Sequence, residues 1–447
     1  MNLDRYTSVF FIGIGGIGMA ALVEYFLAQK KQIGGYDLTP SDLTKSFEER
    51  GAQVFYREDL EGLQSNFKDP DQCLVVYTPA VPVSNAWMQF YEKAGFSLNK
   101  RSQVLGMITE NTKCFAVAGT HGKTTTSSML AHIISESDLR FTAFLGGISN
   151  HFKSNYFSNG FENSVVEADE YDRSFLRLHP DIACITSTDA DHLDIYGTAT
   201  DLQKSFLDFA SLLPSKDQLV VCNQVEFPFG RTYGEGDADF EILNLRFEEL
   251  HCYFDLKVEG QHYKNILLPM PGRHNVYNAV AAFAMAYLGG LEPDQIIRSL
   301  AGFKGVARRF SIECKQPDFV FIDDYAHHPT AIKAIYEAVN DAFPALEKTL
   351  VFQPHLFSRT RDFMEEFAAS ISLFDSVVLL PIYPARELPL EGVNSEVLLE
   401  KISATDKVLL KKEQLVEHLK KCPLKVLVTL GAGDIGLEVE PIKKALC

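Results

Sequence analysis

Two glycine-rich loops constrain this chain more than any other feature. FFIGIGGIGMAAL sets Gly13, Gly15, Gly16 and Gly18 between an apolar strand-like run and a helix-like one, and AVAGTHGKTTTSSML does the same around Gly119 and Gly122. A strand that feeds a helix through a tight glycine turn is half of a βαβ unit, and βαβ units build parallel sheets covered by helices. The rest of the sequence has to be compatible with two such turns.

It is. Before residue 104 the runs SVFFIGIG, QIGGYDL and CLVVYTPA alternate with the helix-like GMAALVEYFLAQK and SDLTKSFEERG. From Lys113 a second series begins with KCFAVAG, continues through NSVVEAD and IACITSTD, and includes the helical period of DLQKSFLDFASLL. Between Leu245 and Leu268 short alternating segments flank Glu259-Gly260, a hairpin signal, and NVYNAVAAFAMAYLGG reads as an Ala-rich helix stopped by glycine. From about Gly305, FVFID, TLVFQ, SVVLLP and KVLVTL alternate with AIKAIYEAV, DFMEEFAASI and EQLVEHLKK. The 447 residues, at about 150 per domain, accommodate three α/β domains. The expected division is 1–104, Rossmann-like; 105–305, P-loop ATPase-like; and 306–447, Rossmann-like again. Near the end GAGDIG, Gly431 to Gly436, reads as a tight turn after a strand or as a further phosphate loop.

The net charge of −17 repels phosphate backbones, so nucleic acid is excluded as the main partner, while a local pocket for a small phosphate ligand is not. Eight scattered cysteines without a CxxC pair suggest reduced thiols rather than a disulfide framework or structural zinc. The apolar run Val9–Leu22 is too short to span a bilayer and lacks signal-peptide flanks, so the expectation is a cytoplasmic protein without a membrane partner. Oligomeric state is left open.

In the first loop the missing Cβ atoms of Gly13, Gly15, Gly16 and Gly18 let the backbone approach a pyrophosphate at a helix N-terminus. Asp37, about 20 residues on, stands where an acidic side chain meets a ribose hydroxyl. A nucleotide-diphosphate site fits this pattern, as does a strand–helix turn with no ligand. The second loop is more specific. Gly119, Thr120, His121, Gly122, Lys123, Thr124 and Thr125 supply backbone N–H groups, an ammonium and hydroxyls, the parts that cradle ATP phosphates and one Mg²⁺. It departs from the eight-residue Walker pattern, with Val117 where the first glycine would stand. Downstream, VVEADEYDRSF and TDADHLDIYG cluster carboxylates and His192 beyond buried-strand patterns, and Glu167 with His192 offers one carboxylate and one imidazole to a second cation.

Taken together, GTHGKTT, EADE with a following DHLD, PGRHNVYNA, FKGVARRF leading into DDYAHHPT, and FQPHLFSRTRD resemble the Mur ligase family, in order and over essentially the whole chain. The resemblance implies domains for a UDP-sugar, ATP and an incoming amino acid, and a ligase that joins L-alanine to the lactyl carboxylate of UDP-N-acetylmuramate through an acyl phosphate, releasing ADP and phosphate. By motif, it implies that Lys123 and Thr124 hold ATP phosphates and the first Mg²⁺, that Glu167 and His192 hold the second, and that Asn275 meets the adenine. Arg309 would reach the ATP phosphates and Asp324 the ribose, while His327, His355 and Arg359 would receive the amino acid, with His192 or His327 near the amine as base. Leu356 stands where many relatives have a second arginine, leaving the amino-acid carboxylate to Arg359. The rival readings are a family member that attaches a recycled tripeptide, an NAD-dependent oxidoreductase using the first loop, and a nucleotide-binding scaffold without activity.

Overall fold

The computed structural model describes residues 3–189, 196–385 and 387–447. These divide into two compact units: Met1–Thr232 with Ala281–Gln295, and Tyr233–Val280 with Ile296–Cys447.

The first unit opens with five parallel strands, β1 (Ser8–Ile12), β2 (Gln32–Tyr36), β3 (Gln53–Phe55), β4 (Cys73–Tyr77) and β5 (Leu98–Lys100), in the order 3-2-1-4-5. β1 is buried along its whole length, as the unbroken run SVFFI requires of a central parallel strand. The order reverses beside β1, and the first glycine loop leaves β1 at that switch point, where open α/β sheets bind ligands.

A second sheet in this unit runs β11 (Leu219–Cys222), β10 (Ile182–Ile185), β6 (Lys113–Ala118), β9 (Asn163–Glu167), β7 (Phe141–Ser149) and β8 (Ser154–Ser158). β6 is flanked by β9 and β10, both parallel to it, so the second glycine loop also leaves its sheet at a switch point. Residues from both sheets, among them Val9, Phe11 and Leu22 on one side and Ala116, Val166 and Ile185 on the other, belong to one continuous core.

In the second unit β12 (Arg231–Glu235) is followed by β13 (Phe240–Glu248), β14 (His251–Val258) and β15 (Gln261–Leu268), of which the last three are an antiparallel meander. Val258 pairs with Gln261 across the expected turn, and both central residues, Glu259 (φ 49°) and Gly260 (φ 81°), have the positive φ of a type I′ hairpin. A six-stranded sheet completes the unit: β16 (Ser311–Gln316), β17 (Phe319–Asp324), β21 (Val426–Leu430), β18 (Lys348–Phe352), β19 (Ser376–Leu379) and β20 (Asp406–Leu409), all parallel except the β16–β17 pair.

GAGDIG is a tight turn: Gly431 has φ 151°, and Gln353 bridges the segment, donating to Asp434 at 2.7 Å and accepting from Ile435 N at 2.9 Å. The expectation of reduced thiols fails at one pair. Cys314 and Cys447 form a disulfide across 133 residues of sequence, because the fold packs the helix Val439–Leu446 on β16; no spacing rule reveals such a pairing. The other six cysteines are free and mostly buried.

Candidate active site

The helix Lys123–Ser135 starts where the second glycine loop ends. Gly122 lies in the left-handed region (φ 83°) directly before it, and Gly119 (φ 133°) packs so closely on Thr186 that a Cβ would fall 2.1 Å from the threonine hydroxyl. Both positions therefore require glycine. The loop is held from the adjacent β10 end. Thr120 N donates to Ser187 O at 3.1 Å, the Thr120 and Ser187 hydroxyls share a hydrogen bond of 2.8 Å, and His121 N donates to Ser187 Oγ at 2.8 Å. His121 Nε2 lies 3.4 Å from Asp189. Thr125, expected at ATP, is buried on the helix's first turn.

Lys123 does not point into an open cradle. Its Nζ donates to Glu170 at 2.6 and 2.9 Å and to Gly119 O at 2.6 Å, and the Glu170 side chain is only 1% exposed. Burial alone would pull the ammonium down, but Glu170, Asp169 and Glu167 outweigh it and hold Lys123 above its usual range. Burial pushes the Glu170 carboxyl up against the opposing pull of Lys123. Glu170 is thus the residue that motif reasoning passed over. It stood among the clustered acids, and its signal was a carboxylate just beyond the buried-strand pattern NSVVE, on the sheet strand beside β6.

Thr124 and Glu167, expected around Mg²⁺, are brought together: Thr124 Oγ1 donates to Glu167 Oε1 at 3.1 Å, and Glu167 Oε2 accepts from Gly146 N at 2.9 Å. Two oxygen donors at the mouth of a phosphate loop are the chemistry a hard divalent cation requires. His192 and the neighbouring acids Asp191 and Asp194 lie outside the described residues.

At the first loop, Asp37 does what the ribose expectation did not include. Its Oδ2 accepts from Gly15 N at 2.7 Å, so the carboxylate closes the glycine turn itself. Gly13 has φ 91° with Thr78 in contact, whereas a Cβ on Gly16 would meet nothing closer than 3.7 Å. Gly18 lies beside Arg101.

In the second unit the duplicated motifs RR and DD separate by role. Arg308 Nε donates to Asp323 at 3.2 Å and its Nη2 to Gly431 O at 2.6 Å, and both Arg308 and Arg309 lie over the Tyr325 ring, at 5.2 and 5.0 Å. Asp324 is buried and accepts from Phe310 N and Ala326 N, each at 2.7 Å, so both its oxygens serve the backbone. Burial pushes its carboxyl up to about 6 despite Arg309. His327 Nδ1 contacts Tyr325 O at 2.8 Å, its ring sits 5.9 Å from that of His355, and His355 Nδ1 is 3.4 Å from Arg359. The three residues expected at the amino acid therefore form one cluster, with Tyr383 stacked on His355. Leu356, at the departure from the family pattern, begins the helix Phe357–Asp362 with φ 71°. Asn275 is buried in the first turn of the helix Arg273–Leu288, where its Nδ2 donates to Pro271 O at 2.8 Å.

Three parallel-rich α/β sheets, with a phosphate loop at a switch point, define a nucleotide-binding α/β scaffold. The chain belongs to the Mur ligase family: residues 8–113 match the Mur ligase family catalytic domain, 117–286 the Mur ligase middle domain and 308–435 the Mur ligase glutamate ligase domain. Among curated relatives it is 48% identical to a UDP-N-acetylmuramate–L-alanine ligase of Christiangramia forsetii, covering all of this chain and 99% of the relative. The corresponding protein of Flavobacterium johnsoniae is 46% identical over the same shares. Among solved structures, the UDP-N-acetylmuramate-alanine ligase of Thermotoga maritima superposes with a TM-score of 0.80 at 26% identity, covering 98% of each chain. A murein peptide ligase of Psychrobacter arcticus, at 19% identity, TM-score 0.68 and 98% coverage of each, shares the fold.

Proposed function

We propose that this chain joins L-alanine to the lactyl carboxylate of UDP-N-acetylmuramate, with ATP converted to ADP and phosphate, in peptidoglycan precursor synthesis. The observation that carries this is the end-to-end 48% identity to a relative of that name, together with a phosphate loop in which Lys123, Thr124 and Glu167 converge. The domain roles follow: 1–104 for the UDP-sugar, 105–305 for ATP and 306–447 for the amino acid. Among the described residues no helix is long and apolar enough to cross a membrane, and the small-molecule substrates suit a cytoplasmic enzyme.

The carboxylate first attacks the γ-phosphorus of ATP, forming the acyl phosphate and expelling ADP; the amine of alanine then attacks the acyl carbon and expels phosphate, losing a proton. Lys123 meets the phosphates when its ammonium exchanges Glu170 for the polyphosphate, while Gly119 and Gly122 keep the loop backbone open to them. Thr124 would hold the first Mg²⁺, and Glu167, which its hydroxyl meets, would hold the second together with His192. Those ions supply neutralisation of phosphate charge during the transfer. In the second unit Arg359 receives the amino-acid carboxylate, His327 stands at the amine, and Arg309 reaches the phosphates. Asp324 fixes the Arg309 segment by holding Phe310 N. Gly13, Gly15, Gly16 and Gly18 receive the pyrophosphate of the UDP-sugar.

The test is ADP release from Mg²⁺-ATP and UDP-N-acetylmuramate, with L-alanine or with the tripeptide L-alanyl-γ-D-glutamyl-meso-diaminopimelate. Release that depends on both the UDP-sugar and L-alanine is expected. Release dependent on the tripeptide would move the assignment to the recycling ligase, and no release with either would leave a scaffold.

A further inference from the structure

The helix that carries Lys123 and Thr124 at its first turn has a second set of functional groups at its last. His132 and Glu136 are one helical turn apart, which places both side chains on the same face. The turn between β7 and β8 brings His151 against them, its ring centroid 4.5 Å from that of His132. One nitrogen of each histidine and one carboxylate oxygen of Glu136 all lie within 4.8 Å of one another.

A second observation singles out the histidine from the turn. Nδ1 of His151 is buried, and among the described residues it has no hydrogen-bond partner. A buried polar nitrogen without a partner is unfavourable and rare, and a bound cation satisfies it. The electrostatics agree, because this end of the helix is the negative pole of its dipole.

We infer that His132, Glu136 and His151 form a binding site for a first-row divalent transition metal, with Zn²⁺ the ion best suited. Two neutral imidazoles and one carboxylate are the borderline donor set that Zn²⁺ takes with three protein ligands and a water, and they discriminate against Mg²⁺, which prefers oxygen alone. The site is distinct from Thr124 and Glu167 in residues and in donor chemistry. An ion bound there ties the C-terminal end of the phosphate-loop helix to the β7–β8 turn. β7 also supplies Gly146, whose N–H holds Glu167, so the staple braces both elements that frame the phosphate loop.

The test uses Co²⁺ as a spectroscopic stand-in for Zn²⁺, titrated into the full chain with Mg²⁺ in excess to occupy oxygen-only sites. A visible d–d band that saturates at one Co²⁺ per chain and disappears on adding Zn²⁺ is expected. His151→Ala should weaken binding by at least about tenfold, the loss already typical of disturbing a metal site's outer partners. Glu136→Gln replaces an exposed side chain and keeps the measurement interpretable should the histidine variant not fold; it too should weaken the band, and Zn²⁺ should raise the melting temperature of the parent more than of either variant. No saturating band in the parent, or a band unchanged in both variants, overturns the inference.

Discussion

At the scale of single residues, the Lys123–Glu170 pair decides how the phosphate loop is to be probed. Both side chains are removed from water, with Lys123 13% and Glu170 1% exposed, so taking away one partner leaves an uncompensated charge in a poorly solvated place. Lys123→Ala is accordingly expected to abolish ADP release and also to destabilise the protein, by about 3–5 kcal/mol if Glu170 stays ionised and by less if it takes up a proton. The double variant Lys123→Met with Glu170→Gln should regain most of the melting temperature while staying inactive. A thermal melt and an ADP assay on the single and double variants check this, and a single variant as stable as the parent would show that the pair is not coupled. Asp324 gives a second residue-scale expectation. Its carboxyl titrates at about 6 rather than 3.8, so the folded state binds that proton more tightly than the unfolded chain does. Its contribution to stability therefore falls as pH rises from about 4 to about 6, by up to about 3 kcal/mol, and is level above that window. Melting temperatures across the window should show this slope in the parent and a flatter one in Asp324→Asn.

At the scale of elements, the first glycine loop allows a turn without ligand to be told from a pyrophosphate cradle. Gly13 is required by the fold, having φ 91° and a Cβ position 2.4 Å from Thr78, whereas Gly16 has an ordinary φ of −68° and a Cβ there would meet only ordinary van der Waals contacts, at 3.7 Å or more. Gly16→Ala is expected to leave stability within about 0.5 kcal/mol of the parent and to raise the KM for UDP-N-acetylmuramate; Gly13→Ala is expected to cost about 1–3 kcal/mol. Steady-state kinetics beside a denaturant melt separate the two, and an unchanged KM in Gly16→Ala would return this loop to a structural role. These loops were legible in the sequence because a buried strand, glycines at a turn and a helix start are all local patterns, as was the Glu259-Gly260 hairpin. What stayed hidden depends on neighbours far apart in the chain. Glu170 meets Lys123 because β9 lies beside β6, Asp37 turns back onto Gly15, and Arg308 reaches Asp323 from 15 residues away. Periodicity places a residue on an element and a face, but the register between elements chooses its partner.

At the scale of the whole molecule, the residues assigned to one reaction belong to two compact units. Lys123, Thr124 and Glu167 are in the first, and Arg309, His327, His355 and Arg359 are in the second. The reaction needs them on one substrate, because an acyl phosphate formed at the phosphate loop has to meet the amine bound by the histidine and arginine cluster. It also needs water kept out, since water competes with the amine for the same carbon. Under the proposed function both demands call for a conformational step on ligand binding, of the kind by which substrate closure keeps water from many active sites. Under the proposed function the ion pair of Lys123 with Glu170 would give that step a trigger, because ATP would have to displace Glu170 before the ammonium could hold phosphate. Small-angle scattering with a non-hydrolysable ATP analogue and UDP-N-acetylmuramate together is expected to show a smaller radius of gyration than the unliganded protein. The same ligands added to Lys123→Ala should produce less compaction, because the phosphates lose their cation. An unchanged radius of gyration in the parent with both ligands present would remove the closure step, and the intermediate would then have to be shielded by the loops of the first unit alone.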